Sequence, residues 1–379
     1  MKTRAAVLFE PGAEWEIVEI DLDRPKAGEV LVQFKAAGLC HSDEHMRQAP
    51  AVPPEVAGTN GLHPMVGGHE GAGIVLEVGP GVTTVAPGDH VAVSFMPTCG
   101  KCRWCVSGRG NLCNNGGRVM LMGMMSDGTS RHHFNGTDLN PIMNLGTWSG
   151  HGVVDEASLL KIDKDLPFGP MALVGCGATT GSGSAMIRGD VRPGQTVVIV
   201  GCGGVGSNAV QGAHLAGARH IIAVDPVAMK RDVALTLGAT HVAESMDAAF
   251  PIVQELTIGE MAETVILTPG ELERDMIAPA LALTAKDGTV IVTGMSSNLG
   301  IQEVPISLFE LTMWQKSIRG ALFGGGDPRT AMPNLISLYQ AGRFKLDELI
   351  TRVYPLDEVN KATRDLLNGE VIRAVFSMD

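Results

Sequence analysis

The chain has 379 residues, 45% hydrophobic and 18% charged, with 48 glycines and a formal net charge of -12. That length exceeds what one core usually organises, so two domains are expected, and the ordinary apolar and charged fractions exclude a disordered chain. A negative balance without a Lys/Arg-rich run excludes nucleic acid and anionic membrane surfaces as partners, because both repel such a chain at long range, and leaves a small molecule.

The first twenty residues, MKTRAAVLFEPGAEWEIVEI, turn acidic early and hold no apolar core of signal-peptide length. No uninterrupted apolar run of about 18 residues follows, so a cytoplasmic location is expected. From the start to about Ser94, short apolar runs at Val30-Leu31-Val32, Gly73 to Val78 and His90 to Val93 alternate with turns such as Gly79-Pro80-Gly81, the texture of an all-β module. Cys40 in GLCHSDEH, His69 in GGHEG and, further on, Cys176 in GCGATTG are dispersed metal-ligand candidates. Taken singly, such a cysteine is more often a small buried residue and such a histidine a turn residue, and periodicity does not assemble them.

Seven cysteines, an odd number in a chain expected to remain in the cytoplasm, fit disulfides poorly. Four of them, Cys99, Cys102, Cys105 and Cys113, lie within fifteen residues. Three thiolates at two-residue spacing can wrap one ion on a compact loop, and the fourth closes a tetrahedral sulfur shell with no position left for substrate. That is a structural zinc site, with an iron-sulfur cluster as the lesser alternative.

Near Arg192-Pro193-Gly194 the texture changes. Thr196 to Val200 reads as a buried strand that runs into Gly201-Cys202-Gly203-Gly204-Val205-Gly206 and then a helix from Ser207 to Ala216. In that setting the G-x-G-x-x-G pattern is a dinucleotide turn: Gly201 makes the turn, Gly203 lets backbone approach a pyrophosphate, and Gly206 permits close helix packing. The helix N-terminus adds amide donors and partial positive charge. Asp225, at the end of the next strand, can accept from ribose hydroxyls and repel a 2′-phosphate, which favours NAD over NADP, and Lys230 is near enough to reach the same ribose. Pro226 can open a helix carrying Met229, Val233 and Leu237, stopped by Gly238. Further strands at Thr264 to Leu267 and Thr289 to Val292 predict a doubly wound parallel sheet. After about Gly320 a helix around Pro333 to Ala341 and a strand from Val371 to Phe376 predict a return to the first domain.

These motifs, with PGDHV, CGKCRWCVSGRGNLC, VDP and GALFGG in the same order, make the chain resemble the zinc-containing alcohol dehydrogenases of the medium-chain dehydrogenase/reductase superfamily over essentially its whole length. The resemblance implies an α/β protein: a GroES-like β domain of residues 1-177 and 321-379 with two zinc ions, and a Rossmann domain, a doubly wound parallel sheet of residues 178-320, holding NAD beside a cleft. It implies that Cys40, His69 and Cys176 hold a catalytic zinc with an open fourth position. Glu70 is then a carboxylate below the metal and Asp43 the acid that orients His69. Ser42 takes the alcohol proton and passes it through the nicotinamide ribose toward His45. His41 stands where many relatives have an arginine against the pyrophosphate, Arg373 matches a second pyrophosphate contact, and Thr180 lies near the nicotinamide. Phe95 and Trp148 align with aromatic pocket positions, so an apolar primary or secondary alcohol is expected, although residues 118-150, rich in methionine, depart from familiar relatives.

The resemblance also leaves alternatives. Thiol-adduct (formaldehyde-type) and polyol dehydrogenases share the skeleton, and the four-cysteine loop favours the alcohol branch. A subgroup keeps its nicotinamide bound and passes electrons to a nitroso dye. A non-catalytic, zinc-stabilised NAD-binding protein is the remaining alternative, disfavoured by the complete Cys40, His69, Cys176 set. A homodimer through the sheet edge near Ser317 to Phe323 is expected, with a tetramer as the alternative.

Overall fold

The computed structural model describes residues 1-48, 63-116, 124-125, 127-296 and 303-378. Part of the methionine-rich stretch, 118-123, therefore lies outside the described residues.

The first strands in chain order are β1 (Lys2–Leu8), β2 (Glu16–Leu22), β3 (Glu29–Leu39), β4 (Met65–Val66), β5 (Glu70–Val78), β6 (His90–Val93), β7 (His132–Phe134), β8 (Thr137–Pro141), β9 (His151–Asp155) and β10 (Leu159–Ile162). Then come β11 (Thr196–Val200), β12 (His220–Val224), β13 (His241–Ala243), β14 (Ala262–Leu267), β15 (Thr284–Val292) and β16 (Ser317–Gly320), and finally β17 (Ile350–Pro355) and β18 (Arg373–Ser377).

Two compact units result. The first comprises Met1–Cys176, Asp327–Ser337 and Leu346–Asp379. In it β1, β2, β7, β8 and β4 close into a barrel, while β10, β6, β5, β3, β18 and β17 lie side by side with β9 also paired to β3. Strand β3 is buried along nearly all its eleven residues, so its sequence EVLVQFKAAGL lacks the polar alternation of a half-exposed strand. A fully buried Arg131 joins the start of β3 to the arm before β7. Its guanidinium donates to Glu29 Oε2 at 2.8 Å and Oε1 at 2.5 Å and to Asp127 Oδ2 at 2.8 Å, the bidentate geometry that makes a buried charge tolerable.

The second unit comprises Gly177–Gly326 and Leu338–Lys345. Its six strands are all parallel, in the order β13-β12-β11-β14-β15-β16, a doubly wound arrangement. Every residue of β11, TVVIV, is buried, as a strand covered on both faces requires. The helix after Asp225 spans Ala228–Thr236; Leu237 is buried as expected, but Ala234 is buried in place of the expected Met229 and Val233, which stay half-exposed.

The chain leaves the second unit after Gly326 rather than Gly320, because the turn at Leu322–Gly325 belongs to it: Phe323 is fully buried, and a Cβ on Gly324 would press on the backbone of Thr180 and Gly183. The return of 338-345 has a similar cause. Lys345 exchanges two hydrogen bonds with the Gln211 amide, at 2.8 and 2.9 Å.

Candidate functional site

In the first unit, Cys40 follows the last residue of β3 and directly precedes helix α1 (His41–Gln48), His69 directly precedes β5, and Cys176 sits in a π-helical turn, Val174–Ala178, that continues helix α2 (Phe168–Leu173). Gly175 lets that turn lie on β6, since a Cβ there would overlap the Val93 carbonyl. The ligand atoms of Cys40, His69, Glu70 and Cys176 all fall within 4.8 Å of one another, and all four residues are buried.

One carboxylate organises two of these groups. Asp43 Oδ1 lies 2.8 Å from His69 Nδ1, and Asp43 Oδ2 accepts the Cys40 backbone N–H at 3.0 Å. This leaves His69 Nε2 as the imidazole atom facing the thiols, and it is buried without a hydrogen-bond partner. A buried nitrogen orphaned beside two thiols is what a metal ligand looks like before the ion is counted. Helix α1 is fixed by Arg47, which bonds Glu44 in the same helix and the carbonyls of Gly12 and Ala13, both at 2.8 Å.

The electrostatics suit a cation. The hydrogen bond from Cys176 pushes the Cys40 thiol well below its usual range against the cost of burial, with His69 and Arg373 adding to the effect, so this pair holds one thiolate readily. Cys176 moves the other way, raised by the same hydrogen bond and by burial. Burial works against a charged His69, but the Asp43 carboxylate and the Cys40 sulfur together raise His69 well above the ordinary imidazole value. A divalent ion stabilises both thiolates and takes the imidazole in its neutral form.

Glu70 is paired with Arg373. The guanidinium Nη2 donates to Glu70 Oε2, with side chains 3% and 0% exposed. Gly38 makes room for them, because a Cβ at that position would overlap the Glu70 carboxylate. Arg373, expected at a pyrophosphate, is buried and engages Glu70.

Ser42 Oγ lies 3.8 Å from Cys40 Sγ, and His45 is one turn further along α1, its ring 5.9 Å from that of His41. Phe95 meets His69 edge to face, with centroids 5.9 Å apart at 88°. Trp148, expected beside it in a substrate pocket, is instead fully buried in the core between Trp15 and Phe376.

The four remaining clustered cysteines converge as the spacing requires. Cys102 Sγ lies 3.5 Å from Cys105 Sγ and 3.9 Å from Cys113 Sγ, and Cys99 Sγ is 3.9 Å from Cys105 Sγ. Zinc-sulfur bonds of about 2.3 Å in a tetrahedron place sulfurs about 3.8 Å apart, whereas a disulfide needs about 2.05 Å, so the shell fits one zinc and not a pair of bridges. Backbone amides of Cys105 and Asn114 bring the Cys102 thiol down to about 6, toward the thiolate a metal needs. The loop is tethered by Asp327, whose Oδ2 accepts the Gly110 N–H at 3.2 Å, and by Arg329, which donates to the Thr98 carbonyl.

In the second unit, Gly201 has φ +89° and helix α3 (Gly204–Leu215) starts just after Gly203. A Cβ on Gly206 would overlap the Gly201 carbonyl, whereas one on Gly203 would meet nothing, so the approach above Gly203 is clear of protein atoms. Val205 and Lys230 are half-exposed. Asp225 is buried, with Oδ2 accepting the Cys202 N–H at 2.8 Å and Oδ1 the Val227 N–H at 2.9 Å. Carboxylate oxygens have further lone pairs, so these bonds leave acceptor capacity for a ribose. Thr180 Oγ1 is buried and has no hydrogen-bond partner.

Sequence reasoning did not single out Thr147. Its hydroxyl donates to the Glu70 carbonyl at 2.8 Å across 77 residues, and no local spacing signals such a bond.

A zinc-binding dehydrogenase is the class that this arrangement defines, and the comparisons agree. Residues 26-164 match the alcohol dehydrogenase GroES-like domain and residues 204-341 the zinc-binding dehydrogenase family. The chain is 48% identical over 376 residues, 99% of each chain, to a protein of Amycolatopsis methanolica named NDMA-dependent alcohol dehydrogenase. The solved benzyl alcohol dehydrogenase from Acinetobacter calcoaceticus matches with a TM-score of 0.89 at 28% identity over 100% of both chains. A protein from Burkholderia ambifaria described as an alcohol dehydrogenase zinc-binding domain protein matches with a TM-score of 0.90 at 30% identity, over 100% of this chain and 99% of that one. The chain belongs to the zinc-containing alcohol dehydrogenases of the medium-chain dehydrogenase/reductase superfamily and is an oxidoreductase. Among the described residues, no helix is long and apolar enough to cross a membrane.

Proposed function

We propose that the chain interconverts a primary or secondary alcohol with an apolar body and its aldehyde or ketone, with NAD as hydride partner and a zinc ion held by Cys40, His69 and Cys176. The observation that carries the reading is the buried set of two thiols, one imidazole and one carboxylate within 4.8 Å. When bound, zinc supplies a positive charge that acidifies a hydroxyl, and NAD supplies the hydride acceptor.

This chain's residues do the rest. Arg373 engages Glu70, so Cys40, His69 and Cys176 would be the groups that hold the ion. Asp43 locks the tautomer of His69. Ser42 offers a hydroxyl beside Cys40 to receive the substrate proton, and His45, three residues on along the same helix, is placed to hold it next. Phe95 shields one edge of His69 from water. The turn Gly201 to Gly206 suits a pyrophosphate and Asp225 disfavours a 2′-phosphate, which supports NAD over NADP.

The name of the 48% identical relative supports a finer reading, that the nicotinamide stays bound and a second oxidant collects the electrons. NADH retained through gel filtration is the expected sign. Exposed Leu308, Phe309 and Met313 beside the edge strand β16 support a homodimer through that edge, checked by sedimentation.

The deciding experiment is Cys40→Ser with metal analysis. Zinc should fall from two ions per subunit to one and turnover should vanish while NAD still binds. Unchanged turnover with one zinc would refute the reading, and a wild-type protein that binds NAD but oxidises no alcohol in a panel would favour a non-catalytic role.

A further inference from the structure

Cys40 directly follows β3 and His69 directly precedes β5, paired strands in which Gly38 lies opposite Glu70, and one dipeptide bonds both segments at that end of the ladder. The backbone N–H groups of Thr147 and Trp148 donate to Gly68 O at 3.0 Å and Gly67 O at 2.8 Å, directly before His69. The Thr147 hydroxyl donates to Glu70 O at 2.8 Å, directly after it. From the same dipeptide the Trp148 indole Nε1 donates to Gly38 O at 3.1 Å, two residues before Cys40. On its far side the Trp148 carbonyl accepts from Ala6 N at 2.8 Å, which ties the dipeptide to β1.

The indole has no freedom to drift. It is fully buried, with Trp15 at 4.9 Å and 73° and Phe376 at 5.2 Å and 76°, both edge-on. Gly67 and Gly68 carry no side chain where the ring lies on them, since a Cβ on either would overlap it, and Gly68 is at φ +87° besides. Packing the tryptophan in the core requires none of the dipeptide's four bonds to ligand-bearing segments, two from Thr147 and two from Trp148.

We propose that Thr147 and Trp148 are positioning residues, a brace that sets the spacing of the Cys40 thiolate and the His69 imidazole and so the affinity and geometry of the metal held between them. This rests on reading that cluster as the zinc site. Partners one shell out from the ligands govern affinity because they remove the ligands' freedom before the ion arrives.

The test uses Trp148→Phe, which keeps an aromatic ring and removes the donor, and Thr147→Val against Thr147→Ser, which differ in the hydroxyl. Chelator-driven zinc release is followed for both sites of the whole protein, with Cys40→Ser assigning the signal of the four-cysteine loop, and the d–d spectrum is recorded after cobalt substitution. Trp148→Phe and Thr147→Val should each weaken the Cys40/His69/Cys176 site on the order of 10- to 100-fold and shift its cobalt spectrum. The four-cysteine site should not change, and Thr147→Ser should behave as wild type. Wild-type release from both sites in folded variants overturns the brace. Parallel weakening of both sites also overturns it, because that is a loss of global stability. If Trp148→Phe does not fold, the Thr147 pair decides alone. A wild-type protein with a single zinc, none of it at Cys40, overturns the zinc reading itself and is told apart by the metal count.

Discussion

Replacing Asp43 by asparagine tests the metal centre at its most connected point. Asp43 and His69 are both fully buried, and the carboxylate accepts at both oxygens, from the His69 ring at 2.8 Å and the Cys40 N–H at 3.0 Å. Asparagine has one acceptor oxygen, so in Asp43→Asn its NH2 must face one of these two donors. A buried donor left unmet costs about 1-3 kcal/mol, which is about 5- to 150-fold in an equilibrium constant. The same range follows independently from losses of about 10- to 100-fold seen when a partner behind a metal-ligating histidine is removed. Zinc competition against a chelator should therefore show the Cys40 site weakened by one to two orders of magnitude, with turnover falling and the four-cysteine site unchanged as the internal control. Zinc held as tightly in Asp43→Asn as in the wild type would refute the argument that this carboxylate orders the two ligands.

Three further outcomes are expected. Burial holds His132 down at about 3 from the ordinary 6.5, with His133 and Arg131 adding to it, and neither ring nitrogen has a partner. The folded value lies below the unfolded one, so stability is full above pH 6.5 and is lost as pH falls toward 3, at up to about 1.4 kcal/mol per pH unit. His132→Leu should flatten the pH dependence of the urea midpoint in that window, and parallel curves would contradict this. Asp225→Asn should lower NAD affinity on the order of tenfold or more and narrow the preference over NADP, measured by isothermal titration, because a hydrogen bond to a charged group is worth about 1.5-3 kcal/mol. Cys113→Ser should release one zinc per subunit and lower the melting temperature while the Cys40 site keeps its metal, since a closed sulfur shell stabilises its loop and does not touch substrate; loss of both ions would show the sites to be coupled.

Much was legible locally. Four cysteines within fifteen residues converge because short spacing on a turning loop leaves the thiols few other places to point, and the β-branched run before Gly201 specifies a strand covered on both faces. The helix after Asp225 was read correctly in kind and Leu237 is buried as expected, but Ala234 is covered in place of Met229 and Val233, because which residues are covered depends on the neighbours above the sheet.

Order along the chain thus determined the two kinds of domain, the closed sulfur shell and the glycine turn, all of which depend on residues a few positions apart. Only the tertiary structure decided that Cys40, His69 and Cys176 share one point, that Arg373 reaches Glu70 across 303 residues, and that Trp148 lies in the core and not a pocket. Those facts depend on which strand lies beside which and on the face each side chain takes, and neither is encoded in local spacing.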